Sequence, residues 1–146
     1  MIVYIDTSAF VKRYIQEANS GDVATLIDQA DLLASTLLTR VEMASAFSKA
    51  VRMKWLDLQA AEESWQDFLV HWRSFSRLNI TQPMTERASR LAWDYGLRAH
   101  DATHLAAALL WQETLETPVT LATYDRELWQ AGQKAGLLVW PENLAA

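Results

Sequence analysis

Asp6, Glu42, Asp101 and Asp125 are the residues of this 146-residue chain whose types and positions point to joint chemistry. Asp6 directly follows the apolar run Ile2-Val3-Tyr4-Ile5, and Asp125 follows a second strand candidate over 119–123. Glu42 and Asp101 fall early in two helical patterns. Acids at the carboxyl ends of parallel strands point into the crevice where open α/β sheets place their ligands. Carboxylates gathered there repel one another and raise each other's pKa unless a cation is bound. The set therefore points to a divalent-metal hydrolase. Thr7, Ser8 and Thr123 carry hydroxyls beside two of these acids and are suited to orient them.

Each acid also has an ordinary explanation. Taken singly, Asp6 and Asp125 are helix N-caps, and Glu42 is a solvated helix acid paired with Lys49 or a neighbour. Asp101 is harder to dismiss, because it enters a helix that is apolar nearly all round. A competing chemistry lies in His100-Asp101-Ala102-Thr103-His104, where two His stand at i and i+4. That spacing resembles a zinc-hydrolase helix with Asp in place of the general-base Glu. No third ligand stands out downstream beyond Glu113 or Glu116, so His104 is read instead as a packed or supporting residue near Asp101.

The elements that must position these residues follow from periodicity and caps. Strands are expected at Ile2–Ile5, 32–35, 78–81, 119–123 and, at an edge, 137–139. Helices are expected over 7–16, 23–29, from 36 or 39 to 54, 57–77, 83–96, 99–114 and 125–136, with Gly96 and Gly136 as stops. The third helix carries the apolar stripe Leu37, Val41, Ala44, Phe47 and Val51, which is expected to face the core. On the fourth, Trp65, Phe68, Trp72 and Phe75 form an aromatic stripe, better suited to core or interface than to base stacking. Strands alternating with helices imply right-handed crossovers and a mostly parallel sheet covered on both faces, an α/β/α sandwich. One domain, residues 1–146, is expected from the length.

Composition narrows the setting. Half the residues are hydrophobic (51%), including seven Trp. The longest apolar run, Leu105 to Trp111, is far too short to span a bilayer. The chain opens on a strand rather than on a charged segment with an apolar stretch behind it, so no signal peptide is expected. Without cysteine there is no disulfide or thiolate zinc site, and a cytoplasmic protein is the default. Net charge is −5, but four acids committed to metal would leave the rest near neutral. Lys49, Arg52 and Lys54 crowd one helix end, which mildly favours a phosphate-bearing substrate.

The opening Ile-Val-Tyr-Ile-Asp6-Thr7-Ser8-Ala9, Glu42 within Thr39-Arg40-Val41-Glu42, the segment from Leu97 to Ala106 around Asp101, and Thr123-Tyr124-Asp125 together resemble the PIN-domain nucleases. Within them the chain is similar to the VapC-type toxins of bacterial toxin–antitoxin pairs. The resemblance runs along essentially the whole chain. It implies an α/β/α fold, often dimeric, and Mg²⁺- or Mn²⁺-dependent endoribonuclease activity held in check by a protein antitoxin. It also maps the family's acidic quartet onto Asp6, Glu42, Asp101 and Asp125, with Thr123 as the accompanying hydroxyl. Since Mg²⁺ takes only one or two carboxylates directly, Asp6 and Asp101 are expected as ligands. Glu42 and Asp125 would orient water or hold a second ion. A PIN nuclease outside any toxin–antitoxin pair stays open as an alternative, as does a zinc hydrolase using His100 and His104. The antitoxin is expected to dock beside the basic helix end, on whatever surface Trp55, Trp65 and Trp72 leave outside the core.

Overall fold

The computed structural model describes residues 1–144. In chain order these form β1 (Ile2–Ile5), α1 (Thr7–Phe10), α2 (Ser20–Gln29), β2 (Leu32–Thr36), α3 (Leu38–Arg52), α4 (Leu58–Trp72), β3 (Ser76–Leu78), α5 (Gln82–Tyr95), α6 (Ala99–Leu115), β4 (Thr120–Ala122), α7 (Arg126–Ala135) and β5 (Leu138–Trp140). The strands make one five-stranded sheet in the order β3-β2-β1-β4-β5. Every neighbouring pair is parallel. Chain order runs outward from β1 to β3 on one side, then returns to place β4 against the other side of β1. The crevice at the ends of β1 and β4 is thus a topological switch point, where open α/β sheets take ligands.

Side-chain alternation along β1 separates two cores. Val3 and Ile5 pack with Phe10, Val23, Met43, Phe47 and Phe68 from α1 to α4. Tyr4 faces the other way, into a cluster built from α5, α6 and α7 with Leu105, Leu121 and Leu128. The sheet is therefore covered on both faces, as a continuous apolar strand requires. Asp57 and Thr81 cap α4 and α5 with their side chains, and Gly96 and Gly136 end α5 and α7 at positive φ. Among the described residues, no helix is long and apolar enough to cross a membrane.

Several expectations need correction. The first helix stops at Phe10 and tightens into a 3₁₀ turn over Val11–Arg13, because Tyr14 is drawn in against Phe10, Phe47 and Phe68. Helix α4 ends at Trp72 rather than 77, and β3 comes earlier than 78–81. Phe75 stacks on Phe10 at 4.8 Å and Ser76 pairs with Ala34 on β2, contacts a continuing helix would forbid. The inward face of α3 is Thr39, Met43, Phe47 and Ala50, so of the expected stripe from Leu37 to Val51 only Phe47 is buried. Leu37 and Val41 are exposed. A purely apolar count misplaced that face, because polar Thr39 is buried by its 2.6 Å hydrogen bond with Ser35. The expected aromatic stripe does belong to the core: Phe68 and Trp72 on α4 and Phe75 just after it are buried, and Trp65 packs partly buried against them. Trp72 therefore has no surface to offer a partner.

Candidate active site

Asp6 is the first residue past β1, where the extended chain turns into α1. Its Oδ1 accepts from the Ala9 amide at 3.1 Å as a helix cap. Ser8 Oγ donates to Oδ1 at 2.7 Å and to Oδ2 at 3.0 Å, and Thr123 Oγ1 donates to Oδ2 at 2.8 Å. Thr123 follows β4, and the Ile5↔Ala122 register puts it beside Asp6. The carboxylate is buried, and burial raises its pKa in spite of His104 and these donors. A buried acid with its pKa raised has its charge under-compensated.

Asp101 lies in the first turn of α6, where the helix dipole favours an anion. Burial, followed by the charge of Asp125, raises its pKa, while His100 and Arg98 pull the other way. Asp125 caps α7 through its Oδ1, which accepts from the Leu128 amide at 3.0 Å. Between these two acids stands Arg98. Its Nε is 3.2 Å from Asp101 Oδ2, and its Nη2 is 2.8 Å from Asp125 Oδ2. The guanidinium thus occupies the position between two carboxylates that a cation would take.

Glu42 reaches in from the first turns of α3. Thr7 Oγ1 at 3.0 Å and His104 Nε2 at 2.7 Å both contact its Oε1. Burial alone would raise the Glu42 pKa, but the His104 contact, Thr7 and His100 together lower it. Asp6, Glu42, Asp101 and Asp125 line one cavity of about 110 Å³ with Thr7, Ser8, Arg98, His100 and His104. A water takes roughly 30 Å³ of liquid, so the space suits an ion with a few waters.

The donor set is right for a hard divalent cation, since Mg²⁺ and Mn²⁺ take carboxylate and water oxygens. Among the described residues, no three acidic or imidazole groups stand together as a ready ligand cage. Arg98 and Ser8 hold the lone pairs that an ion would need. Both are replaceable: the Arg98 side chain is 62% exposed, and Ser8 has Thr123 Oγ1 at 3.2 Å as another partner.

His104 is packed and lines the same cavity as Asp101, as expected, but the carboxylate it contacts is Glu42. Its Nδ1 is 2.7 Å from the Tyr4 hydroxyl, so both ring nitrogens are engaged and neither is free for zinc. His100 sits apart, 3.4 Å from Asp101. Sequence reasoning missed Tyr4 and the bridging role of Arg98. Tyr4 reads as one more apolar strand residue; only its alternation against Val3 and Ile5 places it on the α6 side.

A second cavity, about 380 Å³, lies between α3 and α4 and is lined by Ala44, Phe47, Val51, Leu58 and Trp65. It is apolar and bordered by Arg52 and Glu62.

Comparison with known proteins agrees with the fold. The chain is 34% identical to Ribonuclease VapC45 and to Ribonuclease VapC49 of Mycobacterium tuberculosis, over 98% of its own length and 97% of theirs. Among solved structures, a toxin–antitoxin complex from Klebsiella pneumoniae superposes with a TM-score of 0.66 at 20% identity, covering 98% of this chain and 99% of that one. FitAcB from Neisseria gonorrhoeae gives 0.68 at 16% identity, over 97% and 98%. At those identities the superpositions speak to the fold alone. A model of the PIN domain matches residues 3–133, and with the two relatives at 34% identity it makes this chain a member of the PIN-domain family.

Proposed function

We propose that this chain is a divalent-metal-dependent endoribonuclease and the toxin of a toxin–antitoxin pair, acting in the cytoplasm. The observation that carries the reading is the single cavity lined by Asp6, Glu42, Asp101 and Asp125, in a chain 34% identical to two ribonucleases along nearly its whole length.

Asp6 and Asp101 would hold Mg²⁺ or Mn²⁺ directly, with Glu42 and Asp125 beside it. When bound, the ion lowers the pKa of a water and offsets charge on the leaving oxygen. The chain's own residues do the positioning. Ser8 and Thr123 fix the plane of the Asp6 carboxylate, while Thr7 and His104 fix Glu42. Arg98, once released from Asp101 and Asp125, remains at the mouth of the cavity as a cation for a substrate phosphate. Attack by water does not need the ribose 2′-hydroxyl, so the choice of RNA rests on the relatives.

The antitoxin is proposed to fill the groove between α3 and α4. Exposed Val41, Trp55 and Leu58 extend its apolar surface, and Lys49 lies over the Trp55 ring. An amphipathic helix suits such a groove. A homodimer is also proposed, with Trp93 on α5, 90% exposed, as the candidate contact.

RNA incubated with wild type and Asp101→Asn in Mg²⁺, Mn²⁺, Zn²⁺ or EDTA tests the activity. Wild type should cut with Mg²⁺ or Mn²⁺ only, and the variant with none. Expression should slow growth, and the short open reading frame adjacent to the gene should restore it. Equal harmlessness of both proteins, with no co-purifying neighbour, would favour a PIN nuclease outside toxin–antitoxin pairs.

A further inference from the structure

Tyr4, His104 and Glu42 form a hydrogen-bonded line that runs from the core to the acidic cavity. Tyr4 is fully buried on β1 and His104 is 1% exposed on α6. Their rings meet edge to face at 5.8 Å and 70°. The phenol hydroxyl is 2.7 Å from Nδ1, and Nε2 is 2.7 Å from Glu42 Oε1.

The chemistry of these groups orders the protons. An ionised carboxylate only accepts, so Nε2 carries the hydrogen given to Glu42. In a neutral ring Nδ1 is then the acceptor, and the Tyr4 hydroxyl donates to it. Thr7 donates to the same Glu42 oxygen at 3.0 Å. Oε1 is therefore committed to two protein donors, while Oε2 has no hydrogen-bond partner among the described residues.

We propose that Tyr4 and His104 are positioning residues that lock the Glu42 carboxylate through Oε1, so that Oε2 alone is presented to the divalent cation or its waters. This rests on the reading above that the acidic cavity takes such an ion. Glu has three side-chain torsions and Glu42 is only partly buried, so without the lock its carboxylate would swing into solvent. Tyr4 acts through His104, and His104 through Glu42, neither touching the ion.

The test uses the full chain and Mn²⁺ as the probe. Mn²⁺ affinity is read by electron paramagnetic resonance, and the His104 tautomer by ¹⁵N chemical shifts in the metal-free protein. Wild type should show protonated Nε2 and bare Nδ1. Tyr4→Phe and His104→Phe should each weaken Mn²⁺ binding about 10- to 100-fold, the usual effect of losing a partner that orients a metal ligand. His104→Gln, whose amide keeps a donor toward Glu42, should restore most of it. In a Glu42→Gln background Tyr4→Phe should have no further effect. Melting curves in EDTA identify any variant that fails to fold, and Tyr4→Phe removes only one oxygen.

The proposal is overturned if folded Tyr4→Phe and His104→Phe bind Mn²⁺ as wild type does, or if the Tyr4→Phe effect persists in Glu42→Gln. A bare Nε2 in wild type also overturns it. Wild type that binds no Mn²⁺ at all would overturn the ion-site reading as well, which separates the two failures.

Discussion

Replacing Asp6 separates its two roles, helix cap and charged ligand. Asp6→Ala removes the acceptor for the Ala9 amide, a cap worth about 1 kcal/mol. It also removes hydrogen bonds from Ser8 and Thr123 to a charged oxygen, worth about 1.5–3 kcal/mol each. Two effects soften the loss. The two hydroxyls are 3.2 Å apart and can bond each other, and the cost of burying the charge disappears. A net destabilisation of about 2–4 kcal/mol follows. For a chain near this size that is about 5–15 °C in Tm. Asp6→Asn has the same shape, keeps one oxygen for Ala9 and Ser8, and requires only that the Thr123 hydroxyl turn to accept. It should stay within about 1 kcal/mol of wild type at neutral pH.

The pH dependence gives the sharper check. Burial holds the folded pKa of Asp6 above its ordinary value, so folding favours the protonated acid. The stability it contributes is full below the unfolded pKa of about 3.9 and is lost as pH rises through the folded pKa. Asn does not titrate. Asp6→Asn should therefore gain on wild type as pH climbs from about 4, and level off once Asp6 is fully ionised. Thermal melts in EDTA across that range, run beside RNA cleavage in Mg²⁺, read both roles. Cleavage should be lost in both variants. If Asp6→Asn melts as low as Asp6→Ala at every pH, the ionised carboxylate itself stabilises the fold and the argument from uncompensated charge fails.

Other expectations test the remaining parts of the site. Arg98→Gln removes the chain's own cation from between Asp101 and Asp125, so Mn²⁺ should bind more tightly while the KM for RNA rises; unchanged Mn²⁺ affinity would show that Arg98 does not compete. Val51→Glu puts a charge in the groove between α3 and α4, and should abolish antitoxin co-purification with cleavage intact. Retained co-purification would place the antitoxin elsewhere. Trp93→Ser should convert a dimer to a monomer in sedimentation, and a wild-type monomer would remove the dimer proposal. His100→Ala should still cut RNA with Mg²⁺; cleavage sustained by Zn²⁺ and lost in that variant would revive the zinc reading.

The positions of three of the four acids were legible because each of those three lies at a boundary that sequence marks well, whereas Glu42 lies inside α3. Asp6 ends an apolar strand, Asp125 and Asp57 open helices as caps, and Asp101 enters the most apolar helix of the chain. Strand and helix alternation was enough to imply a parallel sheet, but the central place of β1 is seen only in the strand order. What sequence could not show depended on contacts between distant segments. The buried face of α3 turned on one hydrogen bond from Thr39 to Ser35, which no count of apolar residues contains. The early end of α4 depended on Phe75 meeting Phe10, a residue far upstream. His104 was noticed for its spacing to His100, yet its partners come from β1 and α3. Helical spacing says which residues share a face of one helix; it is silent about what lies opposite.

That division extends into the site, which is built in two unlike halves. Asp6 and Glu42 are gripped by uncharged hydroxyls, a backbone amide and a buried imidazole, all on or beside β1, β4 and α6. Those donors need not move when a cation arrives, apart from the shared hydroxyl of Ser8. Buried Asp101 and partly buried Asp125 instead share the exposed guanidinium of Arg98, a cation open to solvent and so to screening by salt. The first half is preorganised, and the second is held by a charge that can leave. Fixed dipoles cost no reorganisation at the moment of reaction, while a surface arginine adds little to the cost of admitting the ion. Raising the salt concentration should therefore loosen the Arg98 bridge before it disturbs Asp6 or Glu42. Carboxylate infrared bands of the metal-free protein, assigned with Asp101→Asn and Asp6→Asn, should shift with salt for Asp101 and not for Asp6. A salt-dependent Asp6 band would mean that the two halves are not separate, and that the cavity reorganises as a whole.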